Sequence, residues 1–165
     1  MSLTRALRHL FAPPWLLRRA LPAGAIERIE AAVTESERQH RGEVRFAVEG
    51  ALDFVPVLRG LTARERALEV FSLSRVWDTE ENTGVLLYLQ LGDRDVEIVA
   101  DRGIARLIPQ DEWDGICRRM EASFAERRFE AGVLAGIGEL TALLARHFPA
   151  DAADTDELPD RPIVL

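Results

Sequence analysis

Hydrophobic and polar positions repeat with two different periods along this chain, and the switches between them mark its elements. Ala25 to His40 has the helical period: Ile26, Ile29, Val33, Ser36 and His40 share one face, while Glu27, Glu30, Glu35 and Glu37 fall largely elsewhere. Arg41-Gly42 closes that helix. Glu43 to Glu49 alternates, with Val44, Phe46 and Val48 on one side, which predicts a first strand. Gly50 to Gly60, containing Pro56, reads as an irregular connection with room for a short helical turn. Thr62-Ala63-Arg64-Glu65 is a capping box, and its helix is expected to run to about Val76 and to bury Ala67, Leu68 and Phe71. The polar loop Trp77 to Thr83 leads into Val85 to Leu91, a continuous apolar run that suits a strand covered on both faces. Gly92-Asp93-Arg94 turns the chain into Asp95–Asp101, with Val96, Ile98 and Ala100 on one side and Asp95, Glu97 and Asp101, together with Val99, on the other. That pattern suits a half-exposed strand beside the central one.

Two helices complete the pattern. Gln110 to about Glu126 follows Pro109 and buries Trp113, Ile116, Cys117, Met120 and Phe124. Phe129 to His147 buries Phe129, Val133, Ile137, Leu140 and Leu144. Gly132, Gly136 and Gly138 interrupt it, at about 1 kcal/mol each relative to alanine; close approach to the sheet would be a reason to keep them. A strand, a helix and a second strand form a crossover, which should be parallel and right-handed. The first strand is therefore expected parallel to Val85–Leu91, and the return strand antiparallel to it. The result is an α/β fold with a three- to four-stranded mixed sheet and helices on both faces. Residues 23–149 form that domain, 1–22 precede it as an arm, and 150–165 follow as an acidic linker and apolar tail, with Asp151, Asp154, Asp156 and Glu157 before Leu158 and Ile163-Val164-Leu165.

The arm has a character of its own. Arg5, Arg8, Arg18 and Arg19 occur with no acidic residue before position 22, Leu3, Leu7, Leu10 and Phe11 share one helical face, and Trp15, Leu16 and Leu17 follow Pro13-Pro14. Its apolar stretch is too short and too interrupted for a signal peptide. Two readings stand: an arm packed on the domain, or a basic amphipathic segment resting on an anionic membrane surface.

Composition narrows the chemistry. The chain has 165 residues, enough for one domain with a sizeable core, and its 47% hydrophobic and 30% charged content is that of a globular protein. A net charge of −7 argues against nucleic acid as a partner. All 21 basic residues are arginine, so there is no Walker lysine for a nucleotide and no Schiff-base lysine for PLP. Cys117, the single cysteine, allows no internal disulfide and reads as a core thiol. His9, His40 and His147 are too scattered for a structural zinc site. No stretch reaches the roughly 18 apolar residues of a membrane span.

The hairpin places the candidate chemistry. Its register sets Asp101 to Gly103 opposite Gly84 and Val85, so Asp101 should meet the loop carrying Asp78, Glu80, Glu81 and Asn82. Oxygen ligands on loops are what a hard cation takes, and Asp78, Glu81, Asn82 and Asp101 are the candidate ligands for Ca2+. The other reading of the same residues is solvated loops or helix caps. Asp93-Arg94-Asp95 lacks the threonine or valine that an aspartate-nucleophile phosphatase carries two places beyond its second aspartate; Glu97 stands there, and the segment reads as a charged turn.

Several of these segments together resemble the TPM domain family, over roughly Ala25 to Phe148. Gly42-Glu43-Val44 is similar to the family's entry to its first strand, and Asn82-Thr83-Gly84-Val85-Leu86-Leu87 to its Asp-Asn-Gly-Val-Leu-Leu segment. Asp93-Arg94 matches its hairpin, and Phe124 with Phe129, Ala131, Gly132 and Gly136 its closing pattern. The resemblance implies an α/β/α sandwich, calcium binding and an acid phosphatase activity on phosphate esters. It also implies, for many members, a signal peptide, a membrane anchor and a membrane-associated, LemA-type partner. This chain shows neither targeting element, so a cytoplasmic branch is expected, with peripheral membrane contact through residues 1–21. Thr83 replaces the second residue of the family's Asp-Asn pair, and Asp101 stands where a glycine is frequent. The expected role is a non-enzymatic, cation-binding module in protein assembly or membrane-associated maintenance. The alternative is a metal-assisted phosphatase, with Arg102 the nearest guanidinium to hold phosphate.

Overall fold

The apolar run that marks the centre of the sheet is fully enclosed: every residue of β2 (Gly84–Gln90) is buried. The computed structural model describes residues 3–13, 15–151 and 157–165; Met1, Ser2, Pro14 and the linker residues Asp154 and Asp156 lie outside them. β1 (Glu43–Glu49) runs parallel to β2, with Glu43 opposite Gly84 and Val48 opposite Leu89. β3 (Asp95–Ala100) returns antiparallel, with Val85 opposite Ala100 and Gln90 opposite Asp95. The tail adds β4 (Ile163–Val164), parallel to β1, giving the order β3-β2-β1-β4.

Alternation divides the core between the two faces. Val44, Phe46, Val48, Val85, Leu87, Leu89, Val96 and Ile98 pack against α3 (Ala25–Glu37), α7 (Gln110–Ala125) and α8 (Phe129–His147). Ala47, Leu86, Tyr88 and Val99 pack on the other face against α5 (Ala63–Leu73) and Leu158 of the tail. The chain is thus an α/β sandwich with a four-stranded mixed sheet. No helix among the described residues is long and apolar enough to cross a membrane.

Two expectations need correction. α5 ends at Leu73 rather than Val76, and it buries Ala63, Ala67 and Val70 while Leu68 stays exposed. Its rotation is set by arginines: Arg66 forks onto Glu49 through Nε at 2.9 Å and Nη2 at 3.0 Å, and Arg64 donates to the Ile98 carbonyl at 2.6 Å. The Tyr88 hydroxyl donates to the same Glu49 carboxylate at 2.6 Å, so the ion pair also satisfies the one polar atom at the end of this core side chain. Of the glycines of α8, in turn, Gly132 and Gly136 face a helix rather than the sheet, and Gly138 faces open space. A Cβ on Gly136 would lie 2.3 Å from Met120 Sδ, and one on Gly132 would lie 2.7 Å from Phe124, both on α7.

The two margins of the sheet are closed differently. On β3, the outward Ile98 carbonyl accepts from Arg64 at 2.6 Å. On β1, the tail covers the margin: Leu165 N–H donates to Val48 O at 2.9 Å, and Leu158 N–H donates to the Glu43 carboxylate at 3.0 Å. Asp160 accepts from the Thr34 hydroxyl, and the nearby Glu37 carboxyl accepts from Val44 N–H at 2.7 Å. Burial, with Asp160 and Glu43 adding to it, pushes the Glu37 carboxyl up to about 9. A carboxyl group that keeps its proton on folding stabilises the fold below its unfolded pKa of 4.5, and the benefit fades as pH rises toward 9. Glu37→Gln mimics the protonated acid, so urea midpoints of this variant should fall less than those of the parent between pH 5 and pH 9.

Candidate functional site

The β2–β3 ribbon has two ends, and residues from distant parts of the chain gather at each. At the open end, β3 stops at Ala100 and Asp101 caps the short helix α6 (Arg102–Ala105), its Oδ1 accepting from Arg102 N–H at 2.7 Å. Asp101 N–H donates to Gly84 O at 2.8 Å, the register the turn dictates. Asp101 Oδ2 is buried and has no partner. Asn82 takes a left-handed conformation, φ 57°, and its carbonyl accepts from Gly103 N–H at 3.1 Å. The Asn82 and Glu81 carbonyls approach so closely that a Cβ on Gly103 would sit 2.5 and 2.6 Å from them.

Asp101 and the Asn82 backbone therefore meet, as the register requires. Asp78 and Glu81 turn elsewhere. Asp78 pairs with Arg75 at 2.6 Å, and Glu81 receives Arg41 at 2.8 and 3.1 Å. Arg102 is exposed, 4.0 Å from Asp101. Among the described residues no group of three or more His, Cys, Asp or Glu side chains is placed to hold a metal ion. Calcium takes about six to eight oxygens. The orphaned Asp101 oxygen is one such donor; Asp78 and Glu81 would have to leave their arginines to join it.

At the closed end the turn carries Asp93, and the N-terminal arm is fastened to it. α1 (Leu3–Leu10) brings Arg5 Nε to 2.7 Å, Arg8 Nη1 to 3.2 Å and His9 Nε2 to 3.0 Å from the Asp93 carboxylate. His9 Nδ1 accepts from Leu52 N–H at 3.0 Å, so Nε2 carries the proton and donates to Asp93. Burial pushes the Asp93 carboxyl up, but Arg5 and His9 outweigh it and hold it below the ordinary range. Ala6 packs with Leu52 and Val57, the latter on α4 (Phe54–Leu58). The arm is thus docked by its basic, small-residue side. Leu3, Leu7, Leu10 and Phe11, which share one helical face, are exposed. Between the arm, the turn and α8 lies a groove of about 660 Å³, lined by Phe11, Trp15 and Phe129 and by Arg8, Arg19, Arg94 and Arg127. Sequence reasoning missed this site. Its signal in the sequence was Arg5-x-x-Arg8-His9 and an aspartate in a distant turn, with nothing local to pair them.

The chain matches the TPM domain over residues 18–143. It belongs to the TPM domain family. A solved relative of this TPM protein is the BA42 protein from the psychrophilic bacterium Bizionia argentinensis, determined by NMR. The two are 28% identical, with a TM-score of 0.78 over 88% of this chain and 95% of that one. Among curated proteins none matches.

The side chains of the TPM protein that most suggest catalysis are engaged structurally. Ser36 and His40 lie 2.8 Å apart and resemble a nucleophile–base pair, but both are buried. Gly42 N–H donates to His40 Nδ1 at 3.2 Å, so Nε2 carries the proton and donates to Ser36 Oγ. The chain of bonds continues to Thr141 Oγ1 at 2.6 Å and ends at Ile137 O at 2.7 Å. Every donor in it is used, and His40 has no lone pair left to accept the serine proton. Burial pulls His40 down to about 4. Cys117 is half-buried on α7, and burial, with Glu97 and Glu121 nearby, pushes its thiol up to about 12, so no thiolate forms at neutral pH.

Proposed function

We propose that this TPM protein is a non-enzymatic module that works against a membrane surface in protein assembly or maintenance. The observation that carries the reading is the orientation of α1. An amphipathic helix normally buries its apolar face, whereas here Arg5 and His9 face the domain and Leu3, Leu7, Leu10 and Phe11 face outward. The Asp93 contacts hold the leucines in that position, and a lipid interface is a solvent that would cover them. A membrane-associated, LemA-type partner would be met at the same surface.

Flotation with liposomes tests the reading. Leu7→Glu with Phe11→Glu alters only exposed side chains, so its thermal midpoint should stay within a few degrees of the parent. Its liposome binding should fall at least tenfold, since each apolar side chain removed from the interface is worth about 1.5–3 kcal/mol. Undiminished binding would count against the arm. The phosphatase reading has a separate test: turnover of a generic phosphate ester that disappears in Asp101→Asn would overturn the non-enzymatic reading. Calcium binding at the open end would show as amide shifts clustered at residues 78–84 and 101–103 during titration, and scattered or absent shifts would remove it.

A further inference from the structure

We infer that the groove beside the arm is a binding site for the phosphate of an anionic phospholipid in a bilayer; the inference rests on the membrane reading above and assigns its headgroup chemistry. The groove has aromatic and aliphatic walls, and four arginines and no acidic residue among its lining residues. In a chain of net charge −7 that is a local reversal of sign. Arg8 is partly neutralised by Asp93. Arg19, Arg94 and Arg127, which also line the groove, have no ion-pair partner among the described residues.

Backbone conformation adds a second observation. Arg94 and Arg127, from the β2–β3 turn and the α7–α8 connection, have φ values of 58° and 62°. This left-handed region costs a side chain roughly 1 kcal/mol that glycine would not incur. Two turns separated in sequence thus place arginine where glycine would be more stable, and both arginines line the same groove.

The apolar surface next to it favours a bilayer over a free anion. Phe11 is 75% exposed and Trp15 61% exposed, and Leu3, Leu7 and Leu10 continue the apolar surface along α1. A soluble phosphate would leave all of these in water. A phospholipid at a membrane face satisfies both parts: its phosphate accepts from the arginines, and the acyl region receives the aromatic and aliphatic side chains.

The test compares sedimentation of the full chain with vesicles of phosphatidylcholine alone and vesicles containing equal parts of phosphatidylcholine and phosphatidylglycerol. The variant is Arg94→Gly with Arg127→Gly, which removes the left-handed strain and should melt no lower than the parent. The parent should prefer the anionic vesicles, and the variant should bind them about twenty-five-fold more weakly, a factor of roughly five for each arginine. Equal binding of the parent to both vesicle types, or an unweakened variant, overturns the groove assignment and leaves the membrane reading standing. Failure of the parent to bind either vesicle overturns both. Saturation by glycerol phosphate alone, with no vesicle binding, also overturns the proposal.

Discussion

Gly84→Ala should unfold the protein or cost it at least about 3 kcal/mol, the upper end of what overpacking a core normally costs. An alanine Cβ there would lie 1.8 Å from the Val76 carbonyl oxygen and 2.8 Å from its carbon. The glycine is required by this close approach rather than by a left-handed φ, which Gly84 does not have. Neither backbone can yield cheaply. Gly84 pairs with Glu43 and accepts from Asp101 N–H, while Val76 is tied back to Phe71 O at 3.1 Å. Gly138 provides the opposite case. It lies within α8 with nothing within 4 Å of its would-be Cβ, so Gly138→Ala should gain about 0.5–1 kcal/mol. Urea titrations of both variants should shift in opposite directions.

The second large effect is an acid-side loss of stability caused by His40. Its folded pKa of about 4 lies below its ordinary 6.5, so between those values the unfolded chain binds the proton and the folded one does not. The stabilisation is complete above pH 6.5 and is lost as pH falls toward 4, and the gap corresponds to about 3 kcal/mol. Glu37 acts with the opposite sign, losing stability as pH rises from 4.5, so the two partly cancel between pH 4.5 and 6.5. His40→Leu separates them. It leaves Gly42 N–H without its acceptor and takes from Ser36 Oγ the His40 donor, leaving it only Thr141, and should cost about 2–4 kcal/mol at pH 7. It should also remove the His40 contribution, so that parent and variant converge in stability near pH 4. Parallel pH profiles would show that another group carries the acid sensitivity.

What could be read from the sequence was what short-range rules determine. The apolar run of β2, the capping box at Thr62 and the turn at Gly92–Arg94 each depend on neighbours a few residues away, and each stands where expected. The turn also placed Asp101 against the Asn82 loop, because a hairpin connection fixes which residues face each other. What could not be read was set by partners remote in the chain. α5 is rotated by Glu49 and Ile98, so Leu68 points outward although its local pattern is apolar. Arg5 and Asp93 are 88 residues apart, and their meeting orients the arm. Of the expected cation ligands, Asp78 and Glu81 are taken by Arg75 and Arg41, pairings that charge patterning did not resolve.

The unequal closure of the sheet has a consequence for self-association. Arg64 caps the outward Ile98 carbonyl of β3, whereas β1 is shielded by the two-residue strand β4 of the tail. Loss of β4 would leave each molecule a single adhesive flank, against which a second copy could lie. With no matching flank on the far side, growth would stop at a pair and could not run on into a fibril.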